Sequence, residues 1–471
     1  MKKRYIYNIL MLSVGLILPL LFASCHGDEE EPVYSENCYI SGVTLGTMKR
    51  TFYSANGTPM TVNISGSLYP MVIDQRKVDD KGRNLIVSSD SLPYGTRLSA
   101  VLVNVTFEGL LSWRKADVED AEWQTYNSAD SMDVSAPLEF RVYSLSGRSY
   151  RTYWMNVTAH QQRGDTTVWE KMEPTALTEG LATRKLLLWD GKVTMLAYKG
   201  AGTLTRLQHD TTLAGAWSEE ETEGTENAVV STLQRQGNRL YMNTTDGALI
   251  ASEDAKTWTP TTYPAKDGLV LAAATDDYLY ALCDRKLYRS NGGEWEEEKL
   301  DDDAANLPVA NLNAVSYTLP NGQQRLLLAG ERNAGDSLVT FWAKGWEKTT
   351  DGSKEAQATW MYYTPSVADK YALVARENLC ILPYDGGLQA LGGKSHAGGY
   401  HALDSIFHSS DHGIAWRVYE DNDMAVDSVL KAKARTAEHL AATVDEDNFL
   451  WISVDDEIWR GRINRLGFKK K

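Results

Sequence analysis

Short runs of alternating apolar and polar residues, separated by turn residues, occupy the chain from about Tyr34 to His160. Met60–Ile64, Arg97–Phe107 and Leu138–Ser144 carry the two-residue period of half-buried strands. The turn residues of 145–148 follow the last of these, and Arg151–Thr158 alternates again, which predicts a hairpin. This pattern over residues 34–160 suits an Ig-like β-sandwich, although the Cys…Trp…Cys spacing of an antibody domain is absent. Gln161–Thr167 is polar, contains a glycine and has no apolar period, so it reads as a hinge. Beyond it the pattern becomes a repeat of strand, turn, strand, turn and tryptophan. Asn238 to Trp258 and Asp277 to Trp295 are two full copies, Ser405 to Trp416 repeats the second half, and Phe449 to Arg460 repeats the first. A unit of about 40 to 50 residues is the length of a four-stranded propeller blade. Residues 166–471 therefore have room for six or seven blades, six being preferred. Trp169 and the strand-like run Val454–Leu466 stand at opposite ends of this region. They suit a blade completed by both termini, which leaves no open sheet edge. The predicted fold class is all-β: a small Ig-like sandwich followed by a closed β-propeller.

Within the repeat, Ser409, Asp411, Gly413 and Trp416 have the spacing Ser-x-Asp-x-Gly-x-x-Trp. This resembles the Asp-box of sialidase-like and sortilin-like propellers. Ser252, Asp254 and Trp258 form a copy one residue short, and Ser290 to Trp295 a copy without the Asp. An Asp at this place accepts backbone N–H bonds inside a turn while the indole packs inward, so a structural role is expected for both boxes.

The N-terminus reads as an address. Lys2, Lys3 and Arg4 precede an apolar run from Ile9 to Phe22, too short for a permanent span and followed by Ala23, Ser24 and Cys25. Residues 1–24 thus read as a signal peptide. Leu21–Cys25 resembles a bacterial lipobox, with Cys25 as the lipidated residue and residues 25–33 as an acidic tether. The wider arrangement of signal, tether, Ig-like domain and degenerate Asp-box propeller resembles uncharacterised Bacteroidota-type surface lipoproteins, a domain family of unknown function. The resemblance implies an outer-membrane lipoprotein exposed on the cell surface, and it implies no activity.

Charge and composition narrow the chemistry. Lys plus Arg number 48 against 63 Asp plus Glu, a net −15 that repels phosphate backbones, so no nucleic-acid partner is expected. Fourteen Trp and 24 Tyr against 8 Phe favour rings with one polar edge. Apart from Cys25, the cysteines Cys38, Cys283 and Cys380 are odd in number, which argues against a disulfide framework, and Cys283 and Cys380, in apolar strand-like runs, read as buried thiols. Gly392-Gly393-Lys394-Ser395 lacks the leading glycine of a phosphate loop, which has Leu388 in its place, so no nucleotide is expected. His396, His401, His408 and His412 match no zinc spacing, and the acidic runs at 301–303, 445–447 and 455–457 lack the calcium-loop pattern. No metal and no cofactor are expected.

Arg235, Arg325, Arg376 and Arg460 are the arginines that a sialidase-like site would need to bring together. Tyr362, Tyr363, Tyr384 and Tyr400 fall near strand ends and are the candidate ligand contacts; no catalytic residue is assigned. The expected function is a surface-anchored, non-catalytic lipoprotein that binds glycan or protein through its propeller. A propeller glycan hydrolase or lyase, and a structural component of a surface complex, are the alternatives.

Overall fold

The computed structural model describes residues 34–53, 58–172, 180–200, 202–211, 216–319, 321–348, 354–356, 359–364, 370–418 and 425–468. The expected signal peptide, the expected lipidation site Cys25 and the expected tether lie outside the described residues. The chain is all-β, and its one α-helix among the described residues is short, Ser428–Ala434, capped by the Asp427 carboxylate on the Val429 and Leu430 amides at 2.8 and 3.2 Å. It divides into two compact units between Gln161 and Gln162.

In the first unit a three-stranded sheet and a six-stranded sheet enclose one core. The former comprises Tyr39–Leu45, Val101–Glu108 and Ser131–Met132. The latter runs in the order Met71–Val78, Asn84–Ser88, Tyr150–Asn156, Leu138–Tyr143, Leu110–Lys115 and Gln124–Thr125. Ile40, Val43, Val101 and Val103 from one sheet meet Leu111, Phe140, Val142 and Tyr153 from the other. The predicted hairpin is present, with Tyr143 opposite Tyr150. Its second strand pairs with Asn84–Ser88 in parallel, so the sheet is mixed and not purely antiparallel as the hairpin suggested. The expected strand at Met60–Ile64 belongs to an exposed two-stranded ribbon, Thr47–Tyr53 with Pro59–Ser65, and contributes little to the core.

The second unit contains six sheets among the described residues. Sheets 1 to 3 begin with Leu181–Trp189, Ala228–Gln236 and Val270–Ala274, and sheets 4 to 6 with Ala310–Thr318, Cys380–Tyr384 and Leu440–Val444. The first strand of each sheet lies against the first strand of the next, and that of sheet 6 lies against that of sheet 1. A separate apolar cluster fills each of the six gaps, sheet 6 to sheet 1 included. Each sheet is thus buried on both faces. That accounts for the apolar run Leu279–Cys283 and the run Leu450–Val454, apolar but for Ser453, every residue of which is buried. Sheet 6 takes three strands from the C-terminal end, and its fourth, Thr167–Lys171, from the start of the unit, with Trp169 opposite Gly461.

Unpaired inner edges are satisfied by side chains of neighbouring sheets. The Gln234 Nε2 amide donates to the Ala272 carbonyl at 3.3 Å, and Asn313 Oδ1 accepts the Ile381 amide at 3.2 Å. Lys185 stands on the first strand of sheet 1 and Cys380 on that of sheet 5. Burial pulls the Lys185 ammonium below its usual range and pushes the Cys380 thiol up.

Candidate functional site

Four hairpins, each joining the first to the second strand of its sheet, meet around a half-open cleft of about 790 Å³. Asp190 and Gly191 come from sheet 1, Gln236 and Asn238 from sheet 2, Asp276 from sheet 3 and Glu446 from sheet 6. These are neighbours round the ring, so the cleft lies at one end of its axis. Asp190 takes φ of 50° and Gly191 of 70°, the left-handed pair that a two-residue hairpin turn requires. Trp189 and Tyr241 are almost wholly buried at the floor. Above the floor the Arg235 guanidinium lies 5.3 Å from the Trp189 ring, and Arg239 Nε meets Glu253 Oε1 at 2.8 Å. The cleft therefore offers guanidinium donors and carboxylate acceptors over aromatic faces, a polar recognition surface.

The four tyrosines proposed as ligand contacts do not converge. Tyr384 is only 4% exposed, its hydroxyl accepts the Ile463 amide at 3.2 Å, and burial lifts its phenol to about 12. It is a core residue, which corrects the expectation for that position: it packs in the apolar cluster between sheets 5 and 6. Tyr362 packs on Trp342 at 5.2 Å, the Tyr363 hydroxyl accepts Arg325 Nη1 at 3.0 Å, and Tyr400 lies under Arg376 at 4.7 Å. All three are half-buried, Tyr363 and Tyr400 against the core between sheets 4 and 5 and Tyr362 against that between sheets 3 and 4.

Nor do the four arginines meet. Arg235 is at the cleft, Arg325 is held by Tyr363, and Arg376 is buried beside Tyr400 and Phe407, its burial lowering it to about 10. Arg460 is buried in sheet 6, bonded to Glu170 at 3.1 Å and to the Thr211 carbonyl at 2.7 Å.

The acidic runs accept hydrogen bonds from within the fold. Asp445 Oδ1 accepts the Asp447 and Phe449 amides and its Oδ2 accepts the Trp451 indole, while Asp455 Oδ1 accepts the Glu438 and His439 amides. Asp301 and Asp303 likewise accept the Tyr362 and Ala305 amides. The Gly392–Ser395 loop is tied down by the Gly393 amide on the Glu377 carbonyl at 2.7 Å and by Lys394 on the Glu377 carboxylate at 3.3 Å. Cys283 is buried, whereas Cys38 and Cys380 keep partial access, and all three are free thiols.

At Asp411 the carboxylate accepts from Ser409 Oγ at 2.7 Å and from the Ala415 amide at 2.9 Å. Ser409 Oγ in turn accepts the Gly413 amide at 2.7 Å, and Trp416 is buried. Asp254 accepts the Lys256 and Thr257 amides at 2.8 and 2.7 Å, with Trp258 buried. Replacing Asp411 or Asp254 by alanine should lower stability by about 1–2 kcal/mol, the effect of stranding such amides, and leave ligand binding unchanged. A chemical denaturation series read beside a binding titration checks both halves.

His408 and His412 are both held below the usual 6.5, chiefly by burial. Between pH 6.5 and the lowered folded values the unfolded chain binds protons that the folded chain refuses, so stability falls as pH drops through this window. Above about pH 7 both states are neutral and the effect vanishes. Melting temperatures at pH 7.5, 6.5 and 5.5 should fall in that order, and His408→Gln should flatten the trend.

Trp189, Arg239, Tyr241, Glu253 and Asp276 were not singled out from the sequence, and Glu446 only as part of the acidic run 445–447. Tracking the first hairpin turn of each repeat, instead of the tryptophan after the last, would have marked this rim.

No curated protein matches the chain. Among solved structures it is similar to a streptogramin B lyase at 12% identity, over 63% of this chain and 97% of that one, with a TM-score of 0.32. YCF48 bound to D1 peptide matches at 12% identity over 64% and 97%, with a TM-score of 0.31. A Trypanosoma rangeli sialidase in complex with the inhibitor DANA matches at 10% over 60% and 55%, with a TM-score of 0.35. Residues 43–157 match the N-terminal domain of a domain of unknown function, DUF6242. Residues 163–471 match the DUF6242 beta propeller domain, and the chain belongs to that family.

Proposed function

We propose that this protein is a surface-exposed outer-membrane lipoprotein, anchored through Cys25, whose six-bladed propeller binds a polar ligand, glycan or protein, without turning it over. In this reading the Ig-like unit and the acidic tether raise the propeller from the membrane. Six gaps each filled by its own core, and a last sheet completed by Thr167–Lys171, support six blades. The hydrogen bonds of Asp254 and Asp411 support Asp-boxes that shape turns.

The observation that carries the binding reading is the cleft at the hairpin turns, where Arg235 lies over Trp189 and Arg239 holds Glu253. The Arg239–Glu253 pair presents a charged donor and acceptor together, which suits the hydroxyls of a polar ligand. A glycan array probed with the full chain, run beside a release assay on the same sugars, tests this. Binding without release, lost in Arg235→Ala and Arg239→Ala, is expected; both side chains are exposed, so the fold should survive. Release of sugar products would overturn the non-catalytic reading, and binding indifferent to both substitutions would overturn the site.

A further inference from the structure

The first unit carries its own cleft, of about 570 Å³, on the outer face of the six-stranded sheet. Leu111, Phe140, Val142 and Tyr153 point into the core, so the alternate residues Arg114, Glu139, Arg141 and Thr152 point away from it. Glu139 is buried and collects three guanidinium groups. Arg114 donates Nε and Nη2 to its Oε2 at 3.0 and 2.9 Å, while Arg83 Nη1 stands 3.6 Å and Arg141 Nη2 3.8 Å from the carboxylate. Trp123 lies between Arg114 and Arg141, with ring distances of 4.6 and 4.3 Å. Tyr150, 59% exposed, covers the other side of Arg141 at 4.9 Å.

Arg141 is the unfinished part of this cluster. Its Nη1 donates to the Tyr143 hydroxyl at 3.3 Å, its Nη2 is too far from Glu139 for a hydrogen bond, and its Nε is buried without a partner. Arg83 is paired with Asp79 at 2.7 Å and Arg114 with Glu139, so Arg141 is the guanidinium left short, and an orphaned charged donor beside aromatic faces is costly unless an acceptor reaches it. Asp117 is already held by Lys81 at 2.6 Å and by Arg83 at 3.1 Å. Glu119 and Asp120 line the cleft as exposed residues, where water and salt screen them far more than the half-buried arginines.

We propose that this cleft binds an acidic saccharide, its carboxylate or sulfate completing the donors of Arg141 and its sugar ring resting on Tyr150. The site is separate from the propeller cleft and does not depend on that reading.

Calorimetric titration of the full chain with an oligogalacturonate hexamer, a κ-carrageenan hexamer and neutral cellohexaose tests the proposal and separates carboxylate from sulfate. At least one acidic probe should bind, more weakly as salt rises above about 0.15 M, and cellohexaose should not. Arg141→Gln should weaken binding about tenfold or more. Tyr150→Ala, at an exposed position, should weaken it several-fold with the fold intact, and decides the matter should Arg141→Gln fail to fold. Arg235→Ala should leave this binding unchanged. Silence from both acidic probes, equal binding of cellohexaose, indifference to Tyr150→Ala, or loss in Arg235→Ala would each overturn the proposal.

Discussion

Lys344→Ala is expected to destabilise the second unit by about 3–5 kcal/mol, the penalty for breaking a buried ion pair by removing one partner. Lys344 is 2% exposed in the third strand of sheet 4, and its ammonium bonds the Glu298 carboxylate, which is buried where the chain passes from sheet 3 to sheet 4. The same carboxylate accepts the Trp360 indole at 3.0 Å and meets Arg289 Nε at 3.1 Å, so every oxygen is in use. Burial draws Lys344 below its usual 10.5 even beside this partner, which indicates how little water reaches the pair. Without the lysine, Glu298 stays buried and keeps only Arg289 as a cationic partner. A fall in melting temperature on the order of 10 °C should follow. Lys344→Met combined with Glu298→Leu should recover most of the loss, because it removes both charges and keeps the volume. A loss below about 1 kcal/mol for Lys344→Ala would indicate a hydrated pair that contributes no more than a surface one.

Gly461→Val should release the N-terminal strand that completes sheet 6. A Cβ at Gly461 would stand 2.4 Å from Trp169 Cε3 and 2.5 Å from Cδ2, where no real contact is tolerated. The indole cannot retreat freely, because its Nε1 donates to the Ala425 carbonyl at 2.8 Å and its ring packs on the core between sheets 5 and 6. Overpacking of this kind usually costs about 1–3 kcal/mol. Here the upper end is expected, since among the described residues the strand Thr167–Lys171 pairs only with Glu457–Ile463. Hydrogen exchange should report faster exchange of the amides of Thr167–Lys171 than in the parent, with the other five sheets unchanged. Trp169→Ala in the same chain should make Gly461→Val nearly neutral, as expected when two substitutions share one contact. Additive losses would mean that Gly461 is needed for its backbone and not for the space it leaves.

Residues of local consequence were legible before any coordinates. The alternation in Leu138–Ser144 predicted a strand beside a hairpin partner, and both are present. The tryptophan repeat located sheets 2, 3, 5 and 6, because a turn and a buried ring recur wherever one sheet must be closed and packed on the next. Trp169 and Val454–Leu466 were paired from sequence for the same reason: an open edge strand is unstable and the termini are the chain available to cover it. The parallel pairing of Asn84–Ser88 was invisible, since alternation specifies a face and says nothing of direction.

The candidate sites were legible only as residue types. Tyr384 and Trp189 are both aromatic residues at the end of a first strand, and nothing local distinguishes the one sealed by the Ile463 amide from the one beneath Arg235. Arg114, Glu139 and Arg141 are held together by strand register, and Trp123 reaches them from a loop.

From its order of residues alone, the chain determined its strands, its turns and the circular repeat, because each depends on backbone preferences and burial within a few neighbouring positions. Which polar groups stand close enough to act together was decided by tertiary structure. Convergence on a cleft depends on sheet order and register across segments as distant as Asp190 and Glu446, and one residue of slip would turn each of those side chains to the opposite face.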